Sequence, residues 1–334
     1  MRSAACRRRR RQPEMRMRRR YRRELSIACA IGALALFLAI VRPGYFSTEN
    51  ITDLLLANLP VLVVALGTTL VILTGEIDIS VGSTFAICSV AAGVLARNGW
   101  PIALAAATAC LAGAAVGALN GALVADARIP SIVVTLATMT ALREALRWST
   151  GGAWIQDLPA AFQWLGLTQR MYPLAASAVT AALFAACAWG LGHAAAGRAL
   201  YAIGSNAEAA RLVGFSIARI KLAVFAIAGA LTGWAAVLNA VRFNQIPSNT
   251  GLGLEMKVIA AVVVGGTAIT GGRGSAAGTL LGVVLLGAIG PALTFLGINA
   301  YWERAIQGAI ILAAVAADAI GRRESRRVVR AAAV

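Results

Sequence analysis

The chain has little charge. Of its 334 residues only 13% are Asp, Glu, Lys or Arg, and lysine occurs only as Lys221 and Lys257. A water-soluble domain of this length needs far more polar surface. The five cysteines, Cys6, Cys29, Cys88, Cys110 and Cys187, form no CxxC pair, and four lie in apolar runs, where cysteine acts as a small hydrophobe. The single histidine, His193, has no ligand partners nearby in the sequence. Neither a metal site, a haem site nor a disulfide framework is expected. No GxxxxGK[ST] occurs, so any ATP must be bound by another subunit. The alternating ten-residue segments of a membrane β-barrel are also missing.

What the chain has is apolar length. It is 59% hydrophobic, with a mean hydropathy of +0.75. Apolar runs recur at the spacing of membrane spans, about 20 residues each. The expectation is an all-α polytopic membrane protein with about 10 transmembrane helices: 25–41, 54–74, 81–96, 101–125, 129–147, 173–192, 219–238, 255–270, 276–297 and 302–320. The third and last are short enough for one of them to be re-entrant or broken. Residues 1–24 form a basic segment, 25–320 the membrane domain, and 321–334 a basic tail.

The net charge of +17 resides largely at the ends, with twelve arginines in the first 23 residues and five within 322–330. Such runs mark membrane topology rather than nucleic-acid binding, because basic flanks stay cytoplasmic. Ten spans put both termini on one side. If that side is the cytoplasm, its segments hold 23 Lys or Arg against eight outside. Without the N-terminal run the ratio is eleven to eight. Later methionines at Met15 and Met17 leave the true start open, and no cleavable signal peptide is evident. Tryptophans 100, 148, 154, 164, 234 and 302 fall near the outer boundary, as interfacial aromatics do.

Between the second and third spans stands GEIDISVGS, residues 75–83, with two carboxylates flanked by uncharged runs. A charge at mid-bilayer costs about 2.5–3.5 kcal/mol on insertion scales. Glu76 and Asp78 therefore lie at an edge or are retained for a purpose. Gly75, Gly82 and Ser83 beside them predict a helix break, with Asp78 or Ser80 capping the next helix. The break serves as a plain cap or as a gate. A faint echo recurs in AITGGRGSAAGT, where Gly271 and Gly278 repeat the seven-residue spacing of Gly75 and Gly82. Gly272 and Gly274 complete this glycine-rich hairpin. Its GxGxxA pattern is no dinucleotide loop, because apolar helices flank it.

Other polar residues sit inside apolar runs. Asn120 interrupts LAGAAVGALNGALVA, where Gly113, Gly117 and Gly121 recur at every fourth position and favour close helix packing. Ser131, Thr135 and Thr138 form a hydroxyl stripe suited either to lining a path for polyhydroxylated solutes or to bonding their own helix carbonyls. The outer connection 149–172 is amphipathic and is expected along the outer surface. The inner connection 193–218 carries SNAEAARLVG, a helix start and a short helix ending at Gly214.

Four motifs in order, over about 46–318, resemble the membrane permease subunits of bacterial ABC importers for ribose and related monosaccharides, within the branched-chain amino acid/sugar permease superfamily. They are TGEIDISVGS, PSIVVTLATMTALR, GRALYAIGSNAEAARLVGFSIARIK and AAVVVGGTAITGGRGSAAGTLLGVVLLGAI. Glu76 departs from the resemblance, standing where many members carry Gly, as does Ala137 at a common Gly. The resemblance implies a bacterial inner-membrane permease, working as a dimer in the lipid bilayer, with both termini cytoplasmic. It implies a periplasmic solute-binding protein outside and ATPase subunits inside, with ATP and magnesium on those subunits and no cofactor on this chain. The chain would then be a transport subunit and not itself an enzyme. It places the coupling contact at Glu208, Ala209, Ala210, Arg211 and Gly214, with Arg211 facing acidic residues of the ATPase. Pathway or gate candidates are Glu76, Asp78, Ser80, Gly82, Ser83, Asn120, Ser131, Thr135 and Thr138. The competing reading is an ion-coupled secondary transporter with Glu76 and Asp78 as the ion site. A sensory or structural membrane protein is a third.

Overall fold

A computed structural model describes residues 24–299, 301–310 and 312–313. The helices are α1 (Glu24–Val41), α2 (Thr48–Leu73), α3 (Val81–Arg97), α4 (Ile102–Ala125), α5 (Ser131–Thr150) and α6 (Met171–His193). Then come α7 (Ala195–Ser205), α8 (Ala207–Leu212), α9 (Ile217–Ala240), α10 (Leu254–Val264) and α11 (Ala276–Phe295). A further helix starts at 302. Among the described residues no strand forms beyond the isolated bridge of Ile155 with Ile246. Six helices, α1, α2, α4, α6, α9 and α11, are long and apolar enough to cross a membrane, and α3 is a shorter apolar helix. The basic segments 1–23 and 321–334, and the end of the tenth expected span, lie outside the described residues.

The helices sort by face. α2 is the central one, buried along Leu59–Thr69 and again at Val71–Leu73. α1, α4 and α6 are peripheral and leave Leu36, Ile40, Leu111, Leu119, Leu174 and Trp189 exposed. In a bilayer such side chains face lipid, where helices satisfy their own backbone groups.

The most extensive helix pair is α4 with α9, and glycine explains it. A Cβ on Gly113 would meet the carbonyl of Gly229, one on Gly117 the carbonyl of Phe225, and one on Gly233 the carbonyl of Ala109. Lipid tails are as apolar as leucine, so helix association in a membrane rests on close backbone approach rather than on hydrophobic exclusion. The every-fourth-residue glycines of α4 are one half of this interlock, and Gly229 and Gly233 of α9 are the other.

The eighth expected span, 255–270, is not a full span: α10 has 11 residues and ends at Gly265. That is about 16 Å of helix, half a bilayer core. The shortfall lies here rather than only in the third or last span. A Cβ on Gly82, in the first turn of α3, would strike the Glu255 carboxyl and the carbonyl of Gly251. The N-termini of α3 and α10 therefore meet inside the bundle, and the two helices run from there towards opposite ends. The connection 151–170 holds no α-helix; most of its residues are exposed, with Ile155, Leu158 and Phe162 turned inward. Within it Trp164 packs edge-on against Tyr172, while Trp100, Trp148, Trp154 and Trp302 are exposed.

Gly117→Leu should prevent the α4–α9 approach, and the purified chain in detergent should melt well below wild type, as overpacking costs about 1–3 kcal/mol or more. Gly190→Leu, at a helix position with nothing within 4 Å of its Cβ, should leave the melting temperature within a few degrees of wild type.

Candidate functional site

The GEIDISVGS stretch leaves the helix at Gly75, whose φ of +86° is easy only for glycine. Residues 76–79 belong to no helix, and α3 begins at Val81. The two acids are therefore not on a helix at all.

Each acid has its own partner. Glu76 forms an ion pair with Lys221 near the start of α9, and both side chains are largely buried. Asp78 is 3% exposed and accepts two hydrogen bonds through Oδ1, from the Ser80 N–H at 2.8 Å and from the Ser80 hydroxyl at 2.7 Å. It does not bond into the first turn of α3. Ser80 takes the N-cap position without a side-chain cap bond, and Asp78 acts one step earlier by locking Ser80 in place. The capping expectation is corrected to that extent.

The other polar candidates join the same knot. Asn120 Nδ2 donates to the Ser80 hydroxyl at 3.0 Å, and the Thr138 hydroxyl donates to Asn120 Oδ1 at 2.7 Å. The Ile77 N–H donates to Ser131 Oγ at 3.2 Å. The Thr135 hydroxyl bonds the Ser131 carbonyl at 2.8 Å, and the Ser83 hydroxyl donates to the Met139 carbonyl at 2.7 Å. Asn120, Ser131, Thr135, Ser80 and Ser83 are buried. Within the hydroxyl stripe, Ser131 ties α5 to the break, Thr135 bonds a carbonyl of its own helix, and Thr138 ties α5 to α4. Satisfied polar groups of this kind fix one arrangement of the chain.

The glycine-rich hairpin lies against the same turn. The Gly272 N–H donates to the Leu73 carbonyl at 3.0 Å, and a Cβ on Gly271 would meet the backbone of Gly75. The echo noticed in the sequence is therefore a physical contact between two turns. Gly271 and Gly272 both have positive φ. Gly274 packs on Thr267 and Gly278 on Gly265.

A third segment completes the junction. Gly204, near the end of α7, leaves no room for a Cβ, which would meet the Leu73 carbonyl, the Gly272 nitrogen and the backbone of Gly271. The Tyr201 hydroxyl also bonds the Gly274 carbonyl at 3.0 Å. Beyond it, Asn206 caps α8 by accepting from the Ala209 N–H at 3.0 Å. Ala210 is buried and anchors the short helix, while Ala209 is exposed. Glu208 and Arg211 pair with each other at 2.7 Å and are both exposed. Leu212 and Val213 stand 80% and 73% exposed beside Gly214, whose φ is +92°. Lys221 and Gly204 escaped the sequence reading. The signal for Lys221 was its rarity in a chain where Glu76 needed a counter-charge; for Gly204 no signal beyond its place before the cap existed.

Asp78→Asn keeps an oxygen for Ser80 and should melt within a few degrees of wild type. Asp78→Leu leaves the buried N–H and the hydroxyl proton of Ser80 without an acceptor, about 1–3 kcal/mol each, and should lower the melting temperature measurably.

Comparison with known proteins bears on what this arrangement is for. Residues 50–315 match the family described as branched-chain amino acid transport system / permease component. The Autoinducer 2 import system permease protein LsrC of Enterobacter sp. (strain 638) is 37% identical over 89% of this chain and 86% of its own length. The proteins of the same name from Klebsiella pneumoniae and Salmonella typhi are 38% and 36% identical, each over 89% of this chain and 86% and 85% of their own. No solved structure matches the chain. With its acids tied to Lys221 and Ser80 and its length matched to import permeases, the ion-coupled reading has no support. The chain belongs to the branched-chain amino acid transport system permease family and is a multi-pass permease subunit of an importer of the ATP-binding-cassette type.

Proposed function

We propose that this permease carries autoinducer-2, or a sugar-like solute close to it, across the bacterial inner membrane as one chain of a dimer, driven by a separate ATPase and supplied by a periplasmic binding protein. The relatives' printed names support the solute class. The observation that carries the mechanism is the junction at Gly204, where the α7–α8 segment meets both the break after α2 and the hairpin after α10. The side bearing α8, and with it both termini, is assigned to the cytoplasm.

On this reading the tip of α8 is the ATPase contact. Leu212 and Val213 are large apolar side chains held out in the open by a helix anchored through Ala210, and an unpartnered apolar tip fits a groove on another protein. Arg211 is already paired with Glu208 within α8, so the apolar tip rather than a salt bridge supplies most of the contact. Movement of the tip is transmitted to the backbones of Leu73 and Gly272 because nothing compressible lies between them and Gly204. The two turns then shift together, one carrying the broken stretch 75–80 and the other the lower end of α10. The Glu76–Lys221 pair links the same turn to α9, the helix that follows the coupling segment.

Leu212→Glu with Val213→Glu should remove the co-purifying ATPase and abolish ATP-driven uptake in proteoliposomes, with the melting temperature of the permease unchanged. In wild-type proteoliposomes, uptake should need ATP and should survive an ionophore that collapses ion gradients. Uptake by the chain alone, lost with the gradient, would contradict the proposal.

A further inference from the structure

A cleft of about 330 Å³ opens at the end of the bundle away from α8, lined by Asn239, Phe243, Asn244, Gln245, Thr250 and Gly251. That volume lies in the range of small-molecule sites. Three of these residues carry amides within a seven-residue stretch. Among the described residues none of the three amides makes a side-chain hydrogen bond. Each offers both donors and an acceptor to whatever enters.

Behind the wall of the cleft lie further polar groups. Gly251 packs against Gly82, at the place where the N-termini of α3 and α10 meet. Glu255 sits there, in the first turn of α10, and is 9% exposed. Its Oε1 accepts from the Gly253 N–H at 3.2 Å. Its Oε2 is buried with no partner and faces Gly82, where any larger residue would displace it. Two helix N-termini favour a carboxylate at this point. Arg143 of α5 reaches the same wall, donating to the Thr250 carbonyl at 3.0 Å.

We propose that this cleft is a transit site for a small uncharged polyol on its way from the binding protein to the break at 75–80. Hydroxyls of such a solute both donate to and accept from the amides, while Phe243, half exposed, offers apolar surface beside them. None of the residues that line the cleft carries a charge, which suits it to an uncharged solute. The site also stands where broken helices of transporters commonly meet their solutes, at the N-termini of half-helices within the membrane. It rests on the importer reading given above.

The test uses the complete importer, with its ATPase and binding protein, in proteoliposomes, and measures radiolabelled autoinducer-2 and D-ribose moved per ATP hydrolysed. Asn244→Leu combined with Gln245→Leu should lower that ratio about tenfold, the loss of one or two hydrogen bonds. Asn244→Gln should retain most of it, and Asn249→Leu, at an exposed neighbour outside the cleft, should leave it unchanged. A ratio equal to wild type in the double variant would overturn the proposal, and so would an equal loss in Asn249→Leu. Failure of wild type itself to move either solute with ATP would instead overturn the importer reading.

Discussion

At Gly204 the end of α7 meets the turns that follow α2 and α10, backbone to backbone, with no side chain between them. The Gly272 N–H on the Leu73 carbonyl closes the contact. Any element added there would push the three segments apart. The same device, a glycine opposite a carbonyl, joins α4 to α9 at three levels. In a membrane, where apolar side chains gain little by leaving lipid for one another, such approaches are how helices hold a defined register. The glycines of this chain therefore set its geometry, and the polar residues act within that geometry.

The acids at 75–83 illustrate the division. Their chain leaves α2 at a glycine, runs through a non-helical stretch, and enters α3 inside the bundle, so Glu76 and Asp78 end up at different places with different partners. A buried charge without a counter-charge is costly. Lys221 answers one of them, and the Ser80 N–H and hydroxyl answer the other. Asn120 and Thr138 then tie Ser80 to α4 and α5. The break is a fastened joint which, on the proposed mechanism, moves as a unit from the junction at Gly204, and each of its two acids has a partner within the chain.

The membrane spans were legible because about 20 apolar residues in a row have few other uses, and α2, α4, α6, α9 and α11 fall close to the expected bounds. The capped helix at 207–212 was legible from Asn206 and Gly214. The truncation of α10 was not, because the apolar run continues through Ala268 while the backbone turns at Gly265 and Gly266. Composition reports burial, not direction. Ser131, Thr135 and Thr138 are legible as a stripe, yet only the packing of α5 shows that their partners are the break, their own helix and Asn120 of α4. Pairings such as Glu76 with Lys221 and Gly204 with Gly272 join positions far apart in sequence, and no single-sequence pattern encodes them. The amides at 239, 244 and 245 gave a compositional signal, three in seven residues after an apolar span, whose meaning depends on the cleft around them.

The most direct test of the junction is Gly204→Ala in the assembled importer, reading solute uptake and ATP hydrolysis together with the melting temperature of the complex. One methyl group would enter the contact with Leu73 and Gly272. The account predicts that the ATPase still binds and hydrolyses ATP while uptake per ATP falls sharply, with folding retained. Uptake and hydrolysis that stay coupled as in wild type would show that the three turns do not transmit the ATPase's movement.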